Sequence, residues 1–340
     1  MASSSARWVA FLAALLSLWA CAPSFGVPAS SQQPLSVLRE SAGLSINQKT
    51  PNVEGLSLSR KEKVLMSKLA ELGKKGDWQG ARGLYEGYKG SAAPVLTAAM
   101  QAAYRCKKYQ EAAAIYYRLR ALRVEVTEVS LPVGMQIFGK LQDPVMVDAI
   151  WAEVTERGWV NRFNCGARMD ALAYMGNVEG AASVLDIMRT QRIDLDEHKF
   201  NAPILACANA KRPSHDVAMY LFEMLLDNGF APTIVTFTNL ARAHAKASLE
   251  QIQQIRAVMK EHNVPGNKVF AESYLSALVQ GRRLNSARTK QAMTAKLADL
   301  PEREGRLKEA ESALLEMQAS NVQLTALCQA FLEYMQQAGS

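Results

Sequence analysis

The sequence predicts an all-α fold, an α-solenoid of helix-turn-helix repeats. From about residue 61 onward, apolar residues recur every three to four positions, Ala and Leu are abundant, and alternating β-branched runs are absent. One short motif also recurs along the chain at intervals of about 35 residues, a spacing typical of helical repeat arrays. The composition agrees, because 49% hydrophobic and 21% charged residues in a chain of 340 are ordinary for a folded protein.

The repeated motif is clearest in GNVEGAASVLDIMRTQRI (176–193) and GRLKEAESALLEMQASNV (305–322), which share Gly, Ala, Ser, Leu and Met at matching positions. Further copies begin at Gly76, Lys107, Gln142, Lys211 and, more loosely, Gly281. Another helical segment, such as KFNAPILACANA or IVTFTNLARAHAK, directly precedes most copies. Each unit is therefore predicted to be a first helix, a short turn, a second helix and a loop.

Small residues define the geometry of each unit. Four copies open with a glycine that is expected to end the first helix in a left-handed conformation: Gly76, Gly176, Gly281 and Gly305. Five residues later, an Ala is expected where the second helix approaches the first. An apolar stripe continues from it, as in Ala181, Leu185 and Met188. A single hairpin cannot bury this stripe, so neighbouring hairpins should stack.

Two stretches resemble the signature of the pentatricopeptide repeat family: GFAPTIVTFTNLARAHAK (229–246) and DLDEHKFNAPILACANA (194–210), with 305–322 similar to the family's second helix. The early Trp and Leu-Gly of tetratricopeptide repeats are absent. The resemblance covers roughly residues 61–335 and implies a right-handed superhelical α-solenoid of about seven hairpins with a capping helix. The first unit is short, 284–304 is irregular, and Pro94 and Pro132 fall at or inside predicted first helices.

The resemblance also implies that the chain binds single-stranded RNA, one nucleotide per repeat. Each base would be read by the fourth residue of a first helix and a residue just before the next repeat. The implied pairs are Thr97 with Thr127, Pro132 with Asn161, Gly166 with Asp196, Asn201 with Thr233, and Thr238 with Gly266. Pro and Gly offer no side-chain hydrogen bond to a base. The base-reading candidates are therefore Thr97, Thr127, Asn161, Asp196, Asn201, Thr233 and Thr238. These residue types also favour helix caps and turns, which is the alternative interpretation.

A formal net charge of +7 is compatible with an acidic partner such as nucleic acid. Basic residues near first-helix or turn positions are the candidates for phosphate contacts: Lys107, Lys108, Arg162, Lys199, Arg242, Arg282 and Arg283. A solvated helix face is the alternative for each of them.

The first residues have the layout of a signal peptide, with one charge at Arg7, an apolar run of about a dozen residues and then small residues. We expect a signal peptide over 1–24 and a transit peptide or disordered linker over 25–60, which is rich in Ser and poor in acidic residues. This leader resembles the bipartite plastid presequence of dinoflagellate-type algae. Secretion, another organelle, or a lipoprotein signal ending at Cys21 are the alternatives.

The sequence contains no recognisable catalytic constellation. None of its four histidines has the Glu two residues later that zinc deaminases carry, and phosphate-binding, nucleophile-elbow and dinucleotide motifs are absent. Five widely spaced cysteines form no CxxC pair and are expected to be free thiols in the core. No enzyme activity, metal or cofactor is expected.

The expected function is therefore that of a single-stranded RNA-binding protein of an organelle, acting in transcript processing, stabilisation or translation. A processing nuclease or another protein is a second expected partner. No DNA partner and no stable membrane association after removal of the leader are expected. The alternative is a helical-repeat scaffold that binds proteins and not RNA.

Overall fold

A computed structural model of the chain describes residues 58–212, 214–284 and 289–339. The predicted signal peptide and nearly all of the segment 25–60 lie outside these ranges. Within them the regular structure consists of sixteen α-helices, without a strand. The predicted fold class, an all-α solenoid of helix-turn-helix repeats, is confirmed.

The helices alternate between two roles. Seven first helices follow one another along the chain: α1 (Arg60–Lys75), α3 (Ala93–Arg105), α5 (Ser130–Lys140), α7 (Arg162–Tyr174), α9 (Glu197–Asn209), α11 (Ile234–Ala243) and α13 (Lys268–Leu278). Their second helices are α2 (Trp78–Gly87), α4 (Tyr109–Ala121), α6 (Pro144–Glu156), α8 (Val178–Thr190), α10 (His215–Asp227), α12 (Leu249–Glu261) and α15 (Arg303–Ala319). Two helices stand outside this alternation: α14 (Lys290–Leu297) and α16 (Ala326–Gly339).

The first helices form one continuous layer and the second helices cover it. Each first helix packs against the first helices before and after it, and each second helix packs against its own first helix. At the end of the array, α16 packs on α13 and α15. None of the helices in the described ranges is both long and apolar enough to cross a membrane.

The predicted apolar stripe fills the space between the two layers. The Ala of the motif is buried in five copies: Ala81, Ala112, Ala181, Ala218 and Ala310. Leu185 and Met188 are also fully buried, as the stripe predicts. The cysteines in the described residues are free, and Cys165, Cys207 and Cys328 lie in the core. Small side chains at these positions let the two helices of a hairpin come together.

The turns between the two helices have the predicted left-handed residue in most hairpins. Gly76, Gly176 and Gly281 have φ of +75°, +69° and +69°. Lys107 and Gln142 adopt the same conformation without being glycine, with φ of +59° and +60°. The prolines do not interrupt their helices, because Pro94 and Pro132 lie in the first turns of α3 and α5, where a backbone N–H has no helical partner.

The prediction for Gly305 is wrong, since this residue lies inside α15 and the left-handed residue is Glu302, with φ of +52°. The Glu302 carboxylate accepts a hydrogen bond from the Leu249 N–H at the start of α12 at 3.0 Å. This contact compensates for the unfavourable backbone of a residue that has a Cβ. The prediction that a second helix begins at Gly281 is also wrong. The helix α14 is inserted there, and α15 is the partner of α13.

A buried arginine fixes α15 in this position. Arg306 is 1% exposed and donates to the Ala247 carbonyl at 2.7 Å and the Leu278 carbonyl at 3.4 Å. It also lies 3.7 Å from a Glu302 carboxylate oxygen. One side chain thus connects α15 to the end of α13 and to the turn before α12.

Two glycines allow neighbouring first helices to lie close together. A Cβ added to Gly139 of α5 would lie 2.5 Å from Ala171 Cα of α7, and one added to Gly73 of α1 would lie 2.8 Å from Ala102 Cα of α3. Both clashes involve backbone atoms of the neighbouring helix. The spacing of the first-helix layer therefore depends on the missing side chains.

We expect Gly139→Ala to lower the free energy of unfolding by about 1–3 kcal/mol, the usual cost of overpacking. Alanine would by itself stabilise a helix by about 0.5–1 kcal/mol relative to glycine. A decrease in the free energy of unfolding therefore indicates that the added Cβ meets the neighbouring helix. Gly83→Ala in α2 is the matched control, because a Cβ there meets nothing within 4 Å and should stabilise the protein. Urea unfolding of both variants measures this, and stabilisation by Gly139→Ala would contradict the assigned packing.

A buried histidine, His244, packs against the half-buried His215 and links α10 to the end of α11. His244 is 2% exposed, its Nδ1 lies 2.8 Å from the Leu240 carbonyl, and its ring centroid is 5.5 Å from that of His215. Burial lowers the pKa of His244 to about 4, against the opposing effect of the hydrogen bond to Leu240, and His215 lowers it further. His244 is therefore neutral in the folded protein near neutral pH.

Because the folded pKa of His244 lies below the ordinary value of about 6.5, the unfolded chain binds more protons between these values. Stability should be complete above pH 6.5 and fall as the pH drops toward 4. We expect His244→Leu to reduce the loss of unfolding free energy between pH 7.5 and 5 by about 1–2 kcal/mol. Denaturant unfolding at the two pH values measures it, with His198→Leu as the exposed control. Equal pH dependence of His244→Leu and the original protein would refute the assignment.

Candidate nucleic-acid interface

The candidate base-reading residues lie along one edge of the first-helix layer, where the first helices begin. Asn161, Asp196 and Thr233 are the N-caps of α7, α9 and α11. Thr127 lies three residues before α5 and bonds the Ser130 hydroxyl at 2.8 Å. Since successive first helices stack side by side, these caps follow one another along the same edge, which we call the cap edge. The hydrogen bonds that these residues make at the starts of helices agree with the alternative interpretation, a cap or turn role.

The first implied pair, Thr97 and Thr127, is brought together by a third hydroxyl. Ser130 is fully buried, and its Oγ lies 2.8 Å from Thr97 Oγ1 and 2.8 Å from Thr127 Oγ1. Thr97 also donates to the Ala93 carbonyl at 2.8 Å. The hydroxyls of this pair are largely satisfied within the protein.

The caps of α7 and α9 are also occupied by protein partners. Asn161 accepts from the Phe163 and Asn164 N–H groups at 2.9 Å each and donates to Glu128. Asp196 forms an ion pair with Arg162 and lies 3.8 Å from Lys199 Nζ. Burial acts to raise the pKa of Asp196, but the hydrogen bond from Arg162 and the charge of Lys199 outweigh it and lower the pKa. Two phosphate candidates are thus paired with a base-reading candidate.

Asn201 on α9 is different, because its side-chain amide has no hydrogen-bond partner among the described residues although it is only 6% exposed. A buried amide without partners costs about 1–3 kcal/mol. Thr238 holds the equivalent position on α11, is 8% exposed, and donates to the Ile234 carbonyl at 2.7 Å. Its oxygen can still accept, so these two residues keep hydrogen-bonding capacity for a ligand.

The equivalent positions on α13 were not identified from the sequence. The N-cap of α13 is Asn267, one residue after Gly266, and it accepts from the Val269 and Phe270 N–H groups. The residue five positions after each cap is Asn201 on α9 and Thr238 on α11, and it is Glu272 on α13. The α13 helix therefore carries a carboxylate where the neighbouring helices carry an amide and a hydroxyl.

Another group of cations lies toward the other end of the first helices. Lys107 and Arg242 both lower the pKa of Lys140, the last residue of α5, although burial is the largest cause of that shift. The Lys140 ammonium lies 3.2 Å from the centroid of the Tyr174 ring. These three cations therefore lie near one another, but the carboxylate of Asp170 lies near them too and acts to raise the pKa of Lys140. Lys140 and Tyr174 were not singled out by the sequence.

The remaining phosphate candidates lie in turns. Lys108 is an exposed residue directly before α4. Arg282 donates to the Lys296 and Asp299 carbonyls at 2.8 Å each, and the Arg283 carbonyl accepts from Lys296. Arg282 thus holds α14 against the end of α13, a structural role that the sequence did not reveal.

A row of exposed apolar side chains along the cap edge is the main feature that was not predicted from the sequence. Val129, Phe163, Val235 and Val269 are 57%, 80%, 50% and 53% exposed. Each lies two residues after Thr127, Asn161, Thr233 or Asn267, and the same position on α9 holds His198. We call these five residues the ladder. Alignment of the copies on their caps would have revealed it.

The regularity of the ladder distinguishes it from ordinary surface exposure. Single exposed apolar residues are common on soluble proteins. Among the described residues, however, nine large apolar side chains are exposed and four of them occupy the ladder. The ladder places one apolar or aromatic side chain on each of five successive first helices. No group of His, Cys, Asp or Glu in the described ranges is arranged to hold a metal ion.

Comparison with known proteins gave matches among solved structures alone. No family model and no curated protein matches the sequence. The chain is similar to the pentatricopeptide repeat protein PPR10 in complex with an 18-nt psaJ RNA element, with 16% identity, a TM-score of 0.49, and coverage of 90% of this chain and 46% of that one. It is also similar to PPR10 from maize, with 20% identity, a TM-score of 0.47, and coverage of 91% and 46%. This chain spans less than half the length of these proteins.

Proposed function

We propose that the chain binds single-stranded RNA along the cap edge of its first helices. The ladder is the observation that carries this proposal. A single strand exposes the faces of its bases, and apolar or aromatic side chains stack on them without regard to sequence. One ladder residue on each of five successive hairpins provides such a contact at regular intervals.

Polar groups near the ladder, and cations toward the other end of the first helices, complete the proposed interface. Asn201 offers an amide donor and acceptor, and Thr238 an acceptor, to base edges. Lys107, Lys140 and Arg242 supply positive charge for the phosphates. Because Thr97, Asn161 and Asp196 are engaged within the protein, we expect base selectivity at a minority of hairpins. Binding elsewhere should depend on stacking and charge.

We further propose that the protein acts in an organelle, the plastid, in processing, stabilisation or translation of transcripts. The leader layout and the repeat resemblance support this proposal. A bound solenoid would cover a single-stranded segment and thereby protect it, expose it or bring a processing nuclease to it. The solenoid itself acts by binding and without chemistry of its own.

The ladder predicts that Phe163→Ala weakens binding of the full chain to single-stranded RNA about five- to a hundredfold, since one lost base stack costs about 1–3 kcal/mol. Filter binding to a pool of plastid transcripts measures it, at about 50 and 200 mM salt. Binding should fall steeply at the higher concentration, because neutralised phosphates release counterions.

Val235→Ala and Val145→Ala form a matched pair for this experiment. The two valines are similarly exposed, at 50% and 54%, but Val145 lies on the second helix α6 outside the ladder. Val235→Ala should weaken RNA binding and Val145→Ala should not. Equal effects of the two would remove the ladder from the interface. Absence of RNA retention at low salt would reject the function and favour the alternative, a scaffold for protein partners.

The proposed location predicts that residues 1–60 direct a fluorescent protein into the plastid of an alga with a secretory plastid-import route. A fusion of residues 25–60 alone should stay outside the organelle, since the signal peptide provides entry to that route. Microscopy of the two fusions measures this. Retention of the longer fusion in the secretory pathway would reject plastid targeting.

A further inference from the structure

The first helix of the array, α1, carries an excess of positive charge. Its 16 residues include six cationic side chains, all of them exposed: Arg60, Lys61, Lys63, Lys68, Lys74 and Lys75. With its two carboxylates, α1 has a formal charge of +4, whereas residues 76–340 together have a formal charge of only +2. One helix at one end of the solenoid therefore holds most of the net charge of the array.

The cations lie on the side of α1 that faces away from α3. Gly73 faces α3, since a Cβ added to it would lie 2.8 Å from Ala102 Cα. With about 3.6 residues per turn, the opposite side of the helix runs through Val64 and Glu71, and the cations flank this line. Among the described helices, α1 packs mainly against α2 and α3. We call this side of α1 the basic face.

Most of the charge on the basic face is not neutralised. Its one carboxylate, Glu71, forms an ion pair with Lys75 at 2.6 Å. The second carboxylate of α1, Glu62, accepts from the Ser59 N–H at 2.9 Å and from the Tyr88 hydroxyl at 2.8 Å, at the start of the helix. The other five cations form no ion pair with a residue that the structure describes. A face of one sign attracts an anionic partner.

A folded helix presents these charges. A capping box of Ser59 and Glu62 begins α1, and Gly76 in a left-handed conformation ends it. Leu69 is fully buried and anchors the helix to the core. The cations are therefore arranged in advance of binding, over a length of about 24 Å.

The shape of the basic face suits a planar partner better than a single strand. A strand on the ladder would follow the cap edge and cross α1 close to Arg60 and Lys61. Lys68 and Lys75 lie about two and four turns further along the helix. A flat anionic surface, in contrast, can contact the whole length of the face at once.

The side chains of the basic face point to the same partner. Surfaces that bind single strands combine cations with aromatic rings on which bases stack, and α1 contains no aromatic residue. Five of the six cations are lysines, which act as point charges and lack the planar fork with which arginine binds one phosphate at two points. Clusters of four to eight cations on a helix are typical of contacts with anionic lipids.

We propose that the basic face of α1 docks on the anionic surface of a lipid bilayer. The cations bind the phosphate-bearing head groups, and Val64, which is 48% exposed in the middle of the face, enters the head-group layer. Because charge and not a large apolar area drives the contact, it is reversible and weakened by salt. The contact is independent of the proposed RNA-binding function, and it would hold the ladder close to a membrane.

The test is co-sedimentation of the full chain with vesicles of phosphatidylcholine alone or with about 30% phosphatidylglycerol, whose head group is anionic. The measured quantity is the ratio of the partition coefficients for anionic and neutral vesicles, because the apolar run of the leader contributes to both. We expect a ratio well above one at about 50 mM salt and close to one at about 500 mM, where charges are screened.

The combined variant Lys61→Gln, Lys68→Gln and Lys74→Gln should lower this ratio about a hundredfold. Each cation near an anionic surface contributes about 1 kcal/mol, which corresponds to about fivefold in the partition coefficient. Replacement of the same three lysines by arginine keeps the charge and should keep the ratio. All three side chains are exposed, and circular dichroism verifies that the variants are folded.

The combined variant Lys211→Gln, Lys246→Gln and Lys268→Gln is the matched control. These lysines are also exposed, but they lie in other hairpins, so their loss removes the same charge and should leave the ratio nearly unchanged. Equal binding of the original protein to both kinds of vesicle would overturn the proposal, as would equal effects of the two triple variants. If the α1 variant lost affinity for single-stranded RNA and kept its vesicle ratio, the basic face would belong to the RNA interface instead. Failure to bind RNA would reject the proposed function and leave the vesicle result standing.

Discussion

The close approach of successive first helices is the constraint on which the rest of the structure depends. A hairpin of two short helices exposes an apolar stripe that only a neighbouring hairpin can cover. Gly73 and Gly139 let the backbones of adjacent first helices come together, and the buried Ala of each motif does the same within a hairpin. This spacing holds the first-helix layer together and places the caps in one row. The ladder follows from this row of caps.

In this array, residues that are about one repeat apart in the sequence are neighbours in space. Residues four positions apart are neighbours in the same way within a single helix. Hydrogen bonds join Thr97 to Ser130, Arg120 to Glu153 and Arg242 to Asn209, each 33 residues apart. The pairing of Arg162 with Asp196 spans 34 residues. Once a period is known, such pairs can be anticipated by comparing each residue with the one a repeat later. The phosphate candidate Arg162 and the base-reading candidate Asp196 proved to be partners of each other for this reason.

Structural features that follow from the periodicity could be predicted from the sequence. Features that depend on a single tertiary contact could not. The period, three of the four left-handed glycines and the buried Ala follow from local conformation and helix packing, and these predictions are confirmed. The turn at Glu302 could not be predicted, because its conformation is compensated by Leu249, far away in sequence. The insertion of α14 is held by Arg282, which looked like a phosphate ligand in isolation. The ladder was missed because an exposed Val beside a cap has no distinctive pattern until several hairpins are aligned.

Residues of the same types at the cap edge differ in whether their side chains bond within the protein. Where Thr97, Asn161 and Asp196 bond within the protein, they stabilise the hairpins and lose capacity for a ligand. Asn201 makes no such bond, and a buried amide without partners lowers stability by about 1–3 kcal/mol. A ligand that bonds this amide recovers that free energy, whereas one that leaves it unpaired does not. Asn201 therefore keeps a hydrogen-bonding capacity that Thr97, Asn161 and Asp196 already use within the protein.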